Sequence, residues 1–220
     1  MTRALAEGLR EDGGVVRCWW PGDDAAYCDY HDREWGRPVA DDARVFEKIV
    51  LEGFQSGLSW RTILHKRARF REVFEGFDPA RVARFGERDV ERLLGDAGII
   101  RHRGKIEAAI ANARATLALI EAEGSLSGFV WSYAPPASER PTRFDHATIR
   151  AMATAPASER LSKALRARGF RFFGPTTCYA MMQAIGLVND HLEGCAVRAD
   201  VELERARFIA ARTPAAGRRS

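Results

Sequence analysis

The residues best suited to chemistry fall in two sets. The first lies within the apolar run VLEGFQSGLSW, Val50 to Trp60, where Glu52, Gln55, Ser56 and Ser59 recur at i, i+3, i+4 and i+7. On a helix this spacing makes one polar stripe headed by a carboxylate and flanked by Phe54, Leu58 and Trp60. One reading is a solvated face with Lys48 pairing Glu52 one turn away. The other is a polar wall of a cavity that receives something cationic or rich in hydrogen-bond donors. The second set is Cys18 and His31 near the start of the chain and His191 and Cys195 near its end. A His and a Cys four apart share a helix face, and two Cys/His pairs together make the closed tetrahedral set that suits zinc. Their spacing follows no common zinc-finger rule, so the pattern alone leaves the question open. Cys28 and Cys178 sit beside apolar residues and read as buried thiols.

The elements that must position these groups are helical. Asp41 or Asp42 offers an N-cap for a helix carrying Phe46, Ile49, Val50 and Gly53 on one face, which should break near Gly57. Arg17 to Gly36 is crowded with Trp19, Trp20, Tyr27, Tyr30 and Trp35 and reads as loop, short helix, loop. Such rings are either core plugs or stacking surfaces for a base. Trp60–Phe74 is a basic helix, and short helices follow Asp78-Pro79 and cover Asp89–Leu94. A turn, Gly98 to Gly104, then leads into a long Ala-rich helix from Lys105, giving a helix–hairpin–helix shape. Arg101, His102, Arg103 and Lys105 surround the start of that helix, whose free amides suit a phosphate. An ordinary corner with solvated charges fits the same pattern. Residues 124–156 read as irregular; helices are expected over Ser158–Arg168, Thr176–Leu187 and Asp200–Arg212. A short polar segment, Val188 to Cys195, carries His191 and Cys195, and strands are hardly represented.

The totals narrow the field. The chain has 220 residues, 46% of them hydrophobic, enough for a packed core. A net charge of only +4 does not by itself imply nucleic acid, although most of the cations are Arg, the better fork for phosphate. No apolar run reaches the length of a membrane span, and MTRALAEGLREDGG lacks the core of a signal peptide. A cytoplasmic protein with reduced thiols is expected, with no membrane partner.

CWWPGDDAAYCDYHDREWG, LEGFQSGLSW, DAGIIRHRGKI, RGFRFFGPTTCYAMMQAIGLVNDH and Cys195, in this order, resemble the DNA-3-methyladenine glycosylase I family from about Arg17 to Cys195. The resemblance implies an all-α helix-hairpin-helix DNA glycosylase with two helical lobes. A structural zinc on Cys18, His31, His191 and Cys195 would join the N- and C-terminal segments. It implies a base pocket of Glu52, as the catalytic carboxylate, with Tyr30 and Trp60 and with Trp20 and Tyr27 close by. Arg101, Arg103, Gly104 and Lys105 would meet the DNA backbone. The partner would be double-stranded DNA containing alkylated bases, bound by a monomer.

The expected organisation is a flexible leader over 1–16, one glycosylase domain over 17–199 and a C-terminal extension over 200–220. Within the domain, a terminal lobe would take about 17–50 and 170–199, and a central lobe about 51–169. Most glycosylases that this shape resembles place a catalytic Asp one helix beyond the hairpin. From Ile106 to Trp131 there is none, and Lys105 does not look like a Schiff-base nucleophile, so the resemblance implies a monofunctional enzyme that uses water and does not cleave the strand. A zinc-dependent DNA-binding protein without activity is the main rival. A zinc deaminase is disfavoured because its signature, His-x-Glu followed by Pro-Cys-x-x-Cys, is not present: no Pro-Cys-x-x-Cys occurs in the chain.

Overall fold

Capping chemistry sets most of the helix starts. Asp24, Asp41, Ser59, Ser125 and Asp145 each accept a hydrogen bond from an amide of the first turn of the helix that follows. In the computed structural model, residues 4–212 are described. The elements run β1 (Leu9–Asp12), β2 (Val15–Cys18), α1 (Ala25–Arg33), α2 (Asp42–Gln55), α3 (Trp60–Val73), α4 (Pro79–Val82), α5 (Glu87–Leu94) and α6 (Arg103–Glu123). They continue with α7 (Leu126–Trp131), α8 (His146–Ala151), α9 (Pro156–Ala167), α10 (Pro175–Ala184) and α11 (Arg198–Arg212). The protein is mostly helical, and no helix among the described residues is long and apolar enough to cross a membrane.

The chain divides into two units. The first takes residues 4–38, 141–152 and 183–212. Its core gathers Cys18, Ile149, Leu192 and Cys195, with Leu9, Trp19, Trp20 and Phe144 packed on them. The second takes Val39–Arg140 and Ala153–Met182. It is built around an aromatic stack in which Phe74 lies parallel to Phe77 at 5.6 Å and Phe54 meets Phe70 edge-on at 4.8 Å. The boundaries therefore fall at residues 38, 140, 152 and 182, not near 50 and 170.

Three expectations change. The leader is not loose over its second half: Leu9 pairs with Cys18 and Asp12 with Val15 in an antiparallel hairpin turned by Gly13 and Gly14, both at positive φ. Residues 124–156 contain α7 and α8, too short for their periodicity to register. The helix expected over Asp200–Arg212 is present as α11, which buries Val201, and Arg205 caps the carbonyls of Gly186 and Leu187 at 2.6 and 2.7 Å. Lastly, His191 and Cys195 lie in an irregular segment between α10 and α11, so no helix face places them together. Residues 1–3 of the expected leader and 213–220 of the expected extension lie outside the described residues.

Candidate active site and metal centre

Glu52 sits in the last turn and a half of α2 and is only 4% exposed. Its Oε2 is buried without a hydrogen-bond partner among the described residues. Burial pushes its pKa up to about 8, and the charge of Lys48, one turn earlier, opposes the rise. Lys48 is itself buried, 1% exposed, with Nζ 5.8 Å from the centre of the Trp60 ring. The solvated Glu52–Lys48 face is thus excluded. The polar stripe is also shorter than its spacing suggests. α2 ends at Gln55, Gly57 turns the chain at φ +80, and Ser59 leaves the stripe to cap α3 through the Thr62 amide at 3.2 Å. That cap starts α3 at Trp60 and fixes the buried indole in the same unit as Glu52.

Tyr27, Tyr30 and His31 share a face of α1 because they lie at i, i+3 and i+4. Trp20 packs on all of them, with ring centres 4.8 Å from Tyr27, 6.4 Å from Tyr30 and 5.0 Å from His31. One aromatic set therefore holds three of the expected base-binding residues against an expected metal ligand.

Cys18 ends β2, His31 comes from α1, and His191 and Cys195 come from the segment before α11. All four are buried, and their ligand atoms lie within 4.8 Å of one another. His191 Nδ1 is 3.2 Å from His31 Nε2, 3.6 Å from Cys195 Sγ and 3.9 Å from Cys18 Sγ, and Cys195 Sγ is 3.6 Å from His31 Nε2. Zinc bonds of about 2.0–2.3 Å would set tetrahedral edges at roughly 3.3–3.8 Å, so the donors fit a closed four-coordinate ion. The outer contacts fit as well. His31 Nδ1 meets Asp32 Oδ1 at 2.8 Å, and His191 Nε2 meets the Trp35 carbonyl at 3.1 Å. Each ring is thereby oriented with its other nitrogen inward. Arg17 grips Asp32 through Nε and Nη2 at 2.8–3.0 Å, and this hydrogen bonding holds the Asp32 carboxyl below its usual range against the cost of burial. The Leu192 amide donates to Cys18 Sγ at 3.3 Å, a bond that favours thiolate. Asp32 and Trp35 were invisible as positioning groups, although an Asp directly after a ligand His is a signal that could have pointed to the first.

The turn 95–102 between α5 and α6 is tied to α3: Arg69 pairs with Asp96 at 2.7 Å, and Lys66 Nζ donates to the Ala97 carbonyl at 2.8 Å. Gly98 and Gly104 do not serve by positive φ. A Cβ at Gly98 would lie 2.5 Å from Arg69 Cγ, so that glycine makes room for the Arg69–Asp96 clamp. The four expected backbone-contact residues separate. Arg101 is exposed and makes no ion pair among the described residues. Gly104 lies in the first turn of α6. Arg103 is held by Glu87 at 2.8 Å and by Glu91. Lys105 is buried and donates to the Phe54 and Ser56 carbonyls at 2.9 and 2.6 Å. It is engaged inside the protein, capping α2, and does not point to solvent. His102 caps α6 by accepting from the Lys105 amide at 3.2 Å.

The sequence profile of methyladenine glycosylases matches residues 20–199. DNA-3-methyladenine glycosylase 1 of Escherichia coli (strain K12) is 51% identical over 182 residues, covering 82% of this chain and 96% of the relative. A crystal structure of 3-methyladenine DNA glycosylase I is 50% identical and superposes with a TM-score of 0.77, covering 82% of this chain and 98% of that one. A Staphylococcus aureus structure, described as showing the basis of 3-methyladenine recognition by 3-methyladenine DNA glycosylase I, is 36% identical, with a TM-score of 0.74 over 80% of this chain and 93% of that one. With one profile spanning its two units and relatives this similar over nearly their whole length, the chain belongs to the methyladenine glycosylase family and is a DNA glycosylase.

Proposed function

We propose that the protein excises 3-methyladenine from alkylated double-stranded DNA by hydrolysing the N-glycosidic bond, releasing the free base and leaving an abasic site. A base alkylated at N3 is cationic in the nucleotide and departs neutral, so the leaving group needs no proton. What remains is to extrude the nucleotide, at a cost of a few kcal/mol, and to recognise the cation. The observation that carries this reading is Glu52, a carboxylate buried in an apolar helix with one oxygen unengaged among the described residues. Ionised, it accepts hydrogen bonds from the exocyclic amine and favours the charged base over neutral adenine. Trp60, Tyr30, Trp20 and Tyr27 supply aromatic faces, worth about 1–3 kcal/mol per stacked base and about 0.5–2 kcal/mol for a cation over a ring. The exposed Arg101 and the amides at the start of α6, Gly104 included, are the parts of the turn suited to phosphate.

The Cys18–His31–His191–Cys195 site is assigned to a structural zinc. Four protein ligands leave no position for an activated water, so the ion ties chain segments together and takes no part in hydrolysis. The enzyme acts as a monomer and without strand cleavage. The test is release of free 3-methyladenine from methylated duplex DNA. The parent should release it and Glu52→Gln should lose most of the single-turnover rate; a loss under twofold would remove Glu52 as the selector.

A further inference from the structure

Phe172 breaks two rules of its surroundings. It is 45% exposed, while Phe170 and Phe173 on either side are buried. Its φ is +52, in the left-handed region that side chains rarely adopt. Phe77 shares that conformation but is fully buried, where core packing holds it. The Phe172 ring is instead half exposed, edge-on to His102, and the loop around it is clamped. Buried Asn112 brackets Arg171, accepting from its amide at 2.7 Å and donating to its carbonyl at 3.1 Å. Buried Ser162 donates to the Phe173 carbonyl at 2.8 Å. Two interior side chains thus fix the backbone on both sides of a strained, outward-facing aromatic ring. Strain that persists under such support, on a residue that adds little to the core, is a mark of function.

Its position says which function. The Phe172 ring lies edge-on to His102 at 6.1 Å, and its Cζ would be 3.6 Å from a Cβ at Gly104, so it stands over the start of α6. The Phe172 carbonyl would be 3.6 Å from a Cβ at Gly53, the neighbour of Glu52. Arg171 beside it and Arg101 beside His102 are exposed and make no ion pair among the described residues, whereas Arg103 and Arg168 are both paired. An apolar ring flanked by uncompensated cations suits a polyanion with aromatic faces.

We infer that Phe172 is a DNA-contact residue whose ring packs on a nucleotide where the duplex passes the start of α6, tying the helix of Glu52 to the bound strand. The inference rests on the DNA-glycosylase reading above. It concerns binding of the duplex and adds no chemical step.

The experiment measures binding of the full chain to a duplex carrying a tetrahydrofuran abasic analogue, from 50 to 200 mM salt. Phe172→Ala should bind roughly tenfold more weakly, about 1.4 kcal/mol, in keeping with an aromatic stacking contact. Its salt slope should match the parent, because an apolar ring releases no counterions. Phe172→Trp should restore binding. Phe172→Gly, which tolerates positive φ, should keep or raise the melting temperature and yet bind as poorly as the alanine variant. Parental affinity in the alanine variant, or a weakening that merely follows a lost melting temperature in both variants, overturns the assignment. If the parent neither binds this duplex nor releases 3-methyladenine from methylated DNA, the reading beneath it fails instead.

Discussion

Lys105 donates its ammonium to the main-chain carbonyl of Phe54 at 2.9 Å, reaching from the first turn of α6 to the last turn of α2. The same group satisfies Ser56, so one cation closes the carbonyl end of the helix that carries Glu52. Lys105→Met should therefore leave two acceptors short of a donor and cost about 1–3 kcal/mol of stability, read by denaturant melts. It should leave the salt slope of DNA binding intact. A slope reduced by about one would return Lys105 to the phosphates.

Arg101→Ala should do the reverse. It should weaken binding to all duplex sequences alike and reduce the slope by about one, with melting unchanged. An unaltered slope would place the phosphate contacts elsewhere.

Glu52 sets a pH dependence. Its pKa in the folded protein is raised from 4.5 to about 8, chiefly by burial. Between those values the folded state holds a proton that the unfolded state has released, so stability falls as pH rises through that window. Glu52→Gln removes the effect. Its stability advantage over the parent should grow from pH 5 to pH 8 toward something of order 3–5 kcal/mol. Activity should run the other way: with the parent, kcat/KM for 3-methyladenine DNA should rise with pH as Glu52 ionises, and the rise should be missing in the variant. Parallel pH–stability curves for the two proteins would count against a buried, neutral Glu52.

Asp32→Asn keeps the side chain near His31 but removes the charge that orients it and that Arg17 grips. Zinc affinity should drop about 10–100-fold, measured by transfer to a chromogenic chelator. Unchanged transfer would mean that the ring is oriented by packing, Trp20 first.

How far the sequence could be read depended on what fixed each feature. The long helices α2, α3 and α6 follow from periodicity and caps, because those are local signals. The ligand set could be proposed from residue type, but the reason that placed His191 and Cys195 together was wrong. What gathers them is long-range: the Ala196 amide donates to the Val16 carbonyl at 2.8 Å, and the Leu192 amide donates to Cys18 Sγ. Lys105 could not be assigned, since a Lys beside a basic turn reads the same whether it faces phosphate or two carbonyls. Lys48 and Glu52 at i, i+4 look like a surface pair, and only burial separates the readings. The β1–β2 hairpin was missed because strands of four residues carry too little alternation to register.

The Cys18–His31–His191–Cys195 cluster has a consequence for biosynthesis. Cys18 and His191 are 173 positions apart, and their unit is assembled from three separate stretches of chain. As a ribosome releases the polypeptide from its N-terminus, the second unit has all its residues once Met182 has emerged. The first waits for the segment that brings His191, Cys195 and α11. Assembly of the four Cys and His side chains is therefore a late event in the life of the nascent chain. Until it happens Cys18 waits beside its hairpin without its partners, the interval in which the new enzyme is most open to oxidation and misrouted metal.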